Sequence, residues 1–106
     1  MDQRIKELWV EALRSGKYRQ CQSRLKMFGD DAKPYHCCLG VLEELAMSEG
    51  VITGYDPAGL VLDTATKQWA GLDDTDPRIN NGSTLTALND RGNSFSFIAN
   101  KIERYL

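Results

Sequence analysis

The segment Tyr35-His36-Cys37-Cys38-Leu39-Gly40-Val41-Leu42 sets two adjacent thiols and the only histidine of the chain at the start of a helical pattern. A thiol at a helix N-terminus is acidified by the partial positive charge there, and the thiolate is the nucleophilic form. That chemistry would make the chain a thiol-dependent enzyme with Cys37 at its centre. It needs a base that reaches the sulfur, and consecutive side chains on a helix project about 100° apart. His36 is therefore poorly placed by sequence, and no paired acid is recognisable. Free cysteine also behaves as a compact hydrophobe. Cys38, Val41, Leu42 and Leu45 then form one apolar stripe, with Cys38 and Leu42 in the core and Gly40 leaving room for a neighbouring element. This packing account is the one adopted, and no catalytic residue is assigned.

Cys21, His36, Cys37 and Cys38 have the ligand types of a zinc site, but three consecutive ligands rarely converge on one tetrahedral ion. Asp73, Asp74, Asp76 and Asn80 lack the alternation and closing glutamate of a calcium loop. No metal and no cofactor are expected. Arg14, Lys17, Arg19, Arg24 and Lys26 follow one another without an intervening acid. Within this run Lys17, Tyr18, Arg19, Gln20, Arg24 and Lys26 make the candidate binding site. Its cations suit phosphate or carboxylate, and Tyr18 offers a stacking face. The glycine pattern of a phosphate-binding loop is missing, so a solvated loop explains the same charges. Ser94-Phe95-x-x-Ile98-Ala99-x-x-Ile102 is similar to half of a helix-turn-helix, with no recognition helix after it. A nucleic-acid-binding regulator is the alternative that this motif and the basic run keep open.

The chain that must position these residues has 106 of them, enough for one domain with its own core, 1–106. Hydrophobic residues make up 42% and charged residues 26%, which is globular rather than disordered composition. Three cysteines, two adjacent, are not a disulfide framework and point to a reducing compartment. No apolar run reaches membrane-spanning length, and Met1-Asp2-Gln3-Arg4 lacks the pattern of a signal peptide. The net charge of -2 disfavours general attraction to nucleic acid. That charge is uneven: residues 1–35 carry eight Lys/Arg against five Asp/Glu, and residues 36–79 carry two against eight.

Ile5, Leu8, Trp9, Ala12 and Leu13 predict an amphipathic helix over 3–15, ended by Gly16. Residues 17–35 read as a short hairpin around Gly29-Asp30-Asp31, with Tyr18, Leu25 and Met27 on one side. A helix follows from Cys37 to Gly50. Residues 51–62 are broken by Gly54, Pro57 and Gly59, leaving Val61 as a short strand residue. Asp63 or Thr64 caps a helix through Trp69, closed by Gly71. Residues 73–82 read as a surface loop. Ser83 caps a short helix ended by Gly92, and Ser94 caps the last, with Phe95, Ile98, Ala99 and Ile102 on one face. The fold class is α+β and predominantly α: a single compact domain of about five short helices with a small hairpin or irregular region.

Several strings carry a resemblance. They are Trp9-x-x-Ala12-Leu13-Arg14-Ser15-Gly16-Lys17-Tyr18-x-Gln20, Cys37-Cys38-Leu39-Gly40-Val41-Leu42, Trp69-Ala70-Gly71-Leu72 and Leu88-Asn89-Asp90-x-Gly92-x-Ser94-Phe95-x-x-Ile98-Ala99. In this order they resemble a family of small proteins encoded by tailed phages and prophages. Relatives often carry a glycine-rich stretch after the Tyr-x-Gln unit, where this chain has Cys21-Gln22-Ser23-Arg24. The resemblance implies a viral accessory protein in the cytoplasm of a bacterial host. It would act by binding, inhibiting or redirecting a host component such as an antiviral defence system. Its partner would be a host protein or an anionic, phosphate-bearing small molecule. Neither membrane nor specific nucleic acid is expected as a partner, and self-association is left open.

Overall fold

The computed structural model describes residues 1–80 and 82–106. Asp2 opens helix α1 (Gln3–Arg14) by accepting the Ile5 N–H at 2.9 Å. The predicted stripe appears with one addition: Ile5, Trp9, Val10 and Leu13 are buried, while Leu8 and Ala12 are half-buried. Helix α1 lies along α5 (Phe95–Tyr105), whose core face is Phe95, Ile98, Ala99 and Ile102, as predicted. Arg14 ties their exposed edges through Glu103 at 3.1 Å and Asn100 at 2.6 Å, and Lys6 reaches the Glu103 carbonyl.

Three short strands follow: β1 (Arg19–Gln20), β2 (Lys26–Phe28) and β3 (Pro34–His36), in the order β1-β3-β2. The predicted hairpin is the antiparallel pair β2–β3, with Gly29-Asp30-Asp31 in its turn. Residues before it form β1, on the opposite side of β3 and parallel to it, where a hairpin over 17–35 had been expected. The loop 21–25 is the reason: it carries the chain across β3, with Ser23 at φ 68. Side chains alternate across the sheet. Gln20, His36 and Lys26 share one row turned towards the interior, and Arg19, Tyr35 and Met27 share the outward row.

Helix α2 (Cys38–Ser48) runs through the centre of the domain, with Cys38, Leu39, Gly40, Val41, Leu42, Glu43 and Ala46 buried. Cys38 and Leu42 are fully enclosed, as the spacing predicts. The Trp9 indole N–H donates to the Cys38 carbonyl at 3.0 Å and joins α1 to α2. Gly40 serves a close approach: a Cβ there would stand 2.0 Å from the Leu25 carbonyl oxygen. That oxygen also accepts the Cys37 N–H at 3.1 Å.

The chain then wanders without regular structure to α3 (Thr64–Ala70), which Asp63 caps and Gly71 closes in a left-handed conformation. Val61 belongs to this irregular stretch and not to a strand. Helix α4 (Leu85–Asp90) is capped by Thr84 rather than Ser83; the Thr84 oxygen accepts the Ala87 N–H, while Ser83 accepts from Arg91. The predicted surface loop 73–82 is only partly superficial, since Pro77 and Ile79 are buried; its Asn81 lies outside the described residues. Among the described residues no helix is long and apolar enough to cross a membrane.

Gly40→Ala should destabilise the domain by about 1–3 kcal/mol, because overpacking against fixed backbone outweighs the ~1 kcal/mol that alanine ordinarily gains in a helix. Gly54, which faces open space, supplies the control: Gly54→Ala should leave the urea midpoint nearly unchanged.

Candidate functional site

The start of α2 is where the sequence motifs meet. Its N-cap residue, Cys37, makes no side-chain cap hydrogen bond. The cap comes from another helix: Asn89 of α4, fully buried, accepts the Cys38 N–H on Oδ1 at 3.1 Å. The same oxygen accepts the Gln20 amide at 3.0 Å, and the Asn89 amide donates to the Cys21 carbonyl at 2.7 Å. Gln20 also donates to the Asn93 carbonyl at 2.7 Å, and Asp90 accepts the Ser23 N–H at 2.9 Å. One amide thus joins β1, α2 and α4.

Beside this joint opens a groove of about 270 Å³. Arg24 comes from the basic run, Cys37 from the thiol pair, Asp76 from the acidic loop and Asp90 from the α4 motif. Leu60 and Val61 form its apolar wall and are 62% and 45% exposed. Both carboxylates are fixed from behind, Asp90 by Ser23 and Asp76 by the backbone and hydroxyl of Thr86. Arg24 makes no ion pair among the described residues.

Cys37 is not activated. Burial pushes its thiol up to about 11, against a partial offset from the Gly40 and Leu39 N–H groups. Burial raises Cys21 as well, and Cys38 further. Desolvation overrides the helix N-terminus that the sequence offered as an acidifying device. His36 faces away from the thiols' chemistry: its Nε2 lies 3.7 Å from Glu44, and its ring meets the edge of Tyr18 at 5.4 Å between centroids. Cys21, His36, Cys37 and Cys38 do not gather into a metal-holding group, and neither do the acids of residues 73–76, among the described residues.

The six residues of the predicted binding run are not brought together. Gln20 is committed to the Asn89 joint. Arg19 pairs with Asp31 at 3.0 Å on the outer sheet face, stacked over Tyr35. Lys26 turns inward to Glu44 at 3.7 Å, Tyr18 is half-buried against His36, and Lys17 lies over the Tyr18 ring. Arg24 alone lines the groove. A run of like charge in sequence becomes four environments because strand alternation and the crossing loop divide it.

Sequence reasoning passed over two acids, Glu43 buried and Glu44 half-buried. Glu44 Oε2 accepts the Tyr55 hydroxyl at 2.6 Å and also faces Lys26 and His36. Glu43 is fully enclosed; its Oε2 accepts the Asp63 N–H at 3.2 Å, while Oε1 has no partner among the described residues. Neither acid had a local signal, since Glu43-Glu44 reads as the polar face of an amphipathic helix. Asn89 did carry one, in Leu88-Asn89-Asp90, but as turn chemistry.

Asn89→Ala should cost more than about 3 kcal/mol, since it strands the Cys38 N–H, the Gln20 amide and the Cys21 carbonyl together. Asn89→Asp should cost nearly as much despite its shape, because an oxygen would then face the Cys21 carbonyl. Chemical denaturation of the two variants checks both.

The enclosed titratable groups set opposite pH slopes. Burial holds His36 below 6.5, so the unfolded chain binds a proton that the native state refuses, and stability falls as pH drops below that value. Burial holds Glu43 above 4.5, so the native state keeps a proton that the unfolded chain releases, and that contribution is lost as pH rises. Glu43→Gln should therefore raise the melting temperature at about pH 7, and the gain should shrink towards about pH 4 in paired thermal melts.

No curated protein and no solved structure matches the chain. One family model, described as "Domain of unknown function (DUF8296)", matches residues 1–106. The chain that folds around the Asn89 joint belongs to that DUF8296 family.

Proposed function

We propose that this chain is a phage-encoded accessory protein that works by binding, and that the groove beside α2 receives a segment of a host protein. Inhibition or redirection of that host component, for instance an antiviral defence system in the bacterial cytoplasm, is the consequence. The carrying observation is the exposure of Leu60 and Val61 next to Arg24, which makes no ion pair among the described residues. Exposed aliphatic side chains around a guanidinium resemble the centre of a protein interface, where arginine and apolar anchors dominate affinity. A protein segment fits better than a phosphate-bearing small molecule. Asp76 and Asp90 face the same space as Arg24, so the groove carries more negative than positive charge. An isolated phosphate would meet net repulsion there. A peptide can set its own carboxylate on Arg24 and lay apolar side chains on Leu60 and Val61.

The groove variants Arg24→Glu and Leu60→Asp should each weaken capture of the host partner at least about 30-fold, as loss of a ~2 kcal/mol anchor requires. Both side chains are exposed, so the melting curve should barely move. Arg19→Gln, at a residue that pairs with Asp31 and does not line the groove, should retain full capture. Affinity capture from phage-infected host cells, quantified by mass spectrometry, reads all three. Loss of capture in Arg19→Gln with the groove variants unaffected would return the site to the outer face of the basic run.

A further inference from the structure

We propose that the pocket between α5 and the segment before α4 binds a nucleoside phosphate, either free or as one unit of a single-stranded nucleic acid. The site is separate from the groove beside α2. Thr86 and Asp90 of α4 line that groove, whereas Leu88, about 200° round the helix from Thr86, lines this pocket. Its volume is about 480 Å³, within the range of small-ligand sites.

Phe97, Lys101 and Tyr105 recur every four residues and form one stripe of α5 outside its core face. The two rings remain 41% and 37% exposed. The Lys101 Nζ stands between them, 5.2 Å from the Phe97 centroid and 5.9 Å from that of Tyr105. A cation is held only weakly over an exposed ring. An incoming phosphate can therefore draw the ammonium off, which frees the ring faces for a base.

The other wall is polar. Arg91 donates to the Ser83 hydroxyl at 2.7 Å and Arg78 to the Gly82 carbonyl at 3.1 Å, so both guanidinium groups stand against residues that line the pocket. Arg78, Arg91 and Lys101 make no ion pair among the described residues. No acid lines the pocket among those residues either. The two acids of residues 80–106 are engaged elsewhere, Asp90 by the Ser23 N–H and Glu103 by Arg14. The balance of charge is thus opposite to that of the groove beside α2. Planar guanidinium groups suit phosphate oxygens, and Asn80 and Ser83 add an amide and a hydroxyl for the sugar and the base edge. A carboxylate would use the cations alone; a nucleoside phosphate uses the cations and the ring faces together.

The test titrates the full chain into fluorescein-labelled oligothymidylate, read by anisotropy, and titrates ATP into the chain by calorimetry. Salt-sensitive binding of at least one is the expected result. Binding of oligothymidylate alone identifies a strand, and binding of ATP identifies a free nucleotide. Phe97→Ala should weaken binding about tenfold or more, whereas Phe97→Trp, which keeps a stacking face, should retain it. Lys101→Gln should weaken binding and flatten the dependence of log Kd on log salt for the strand by about 0.7. Arg19→Gln, the same change of charge outside the pocket, should bind like the wild type. The proposal is overturned by no binding of either probe, or by ATP binding no tighter than inorganic phosphate. Equal losses in Arg19→Gln and Lys101→Gln, or polyglutamate outcompeting both probes, would also overturn it.

Discussion

The rest of the structure depends on how the first turn of α2 is capped. A helix leaves its first N–H groups without internal partners, and a buried helix start must find them elsewhere. Cys37 makes no side-chain cap hydrogen bond, so Asn89 provides the bond from α4, more than fifty residues later in the chain. The amide is small, planar and two-sided. Its oxygen fixes α2 and Gln20, and its nitrogen fixes the backbone of β1 at Cys21. Removing one side chain therefore unties three elements at once. This long-range cap also sets one side of the groove, where Cys37 at the start of α2 meets Thr86 and Asp90 of α4.

A second constraint is the polar content of α2. The helix enters the core and carries Glu43 with it, leaving Glu44 half-buried at its edge. Glu44 is satisfied by the Tyr55 hydroxyl and the Lys26 ammonium from the sheet, whereas Glu43 leaves one oxygen without a partner among the described residues. Buried ionisable groups of this kind cost stability that apolar residues would not. Glu43 accepts the N–H of Asp63, the cap of α3, so it fixes where the irregular stretch ends and the next helix begins. That connection is a physical reason for an acid in a place where packing alone would choose leucine.

Helices were legible wherever caps and spacing agreed. Ser94 caps the last helix as its sequence predicts, Asp63 is the one of the pair Asp63 and Thr64 that caps α3, and Gly71 closes α3; the Asp2 cap of α1 went unread. Ser83 was mistaken for Thr84 because both hydroxyls precede the same apolar residue, and only geometry chooses between them. The hairpin turn at Gly29 was legible; β1 was not, because a two-residue parallel strand has no periodicity to detect. The candidate site was legible as fragments. Arg24, Cys37 and Asp90 each belonged to a segment noticed for its chemistry, but their convergence depends on Asn89. The charge run misled for a simple reason. Sequence proximity says nothing about which sheet face a side chain takes, and Arg19 and Lys26 take opposite ones.

The packing of α1 against α5 has a consequence for how the chain reaches this state. Lys6 bonds Glu103 across 97 positions of sequence, and the apolar faces of the two helices complete each other. Contacts of such separation raise the contact order and slow folding relative to a bundle of sequential neighbours. During synthesis, at about 5–20 residues per second, α1 waits on the order of ten seconds for α5 to exist. Through that interval Ile5, Trp9 and Leu13 lack their final cover, and the nascent chain presents an amphipathic helix to the cell. Chaperone dependence and expression yield should therefore respond to the apolar face of α1 more sharply than equilibrium stability does.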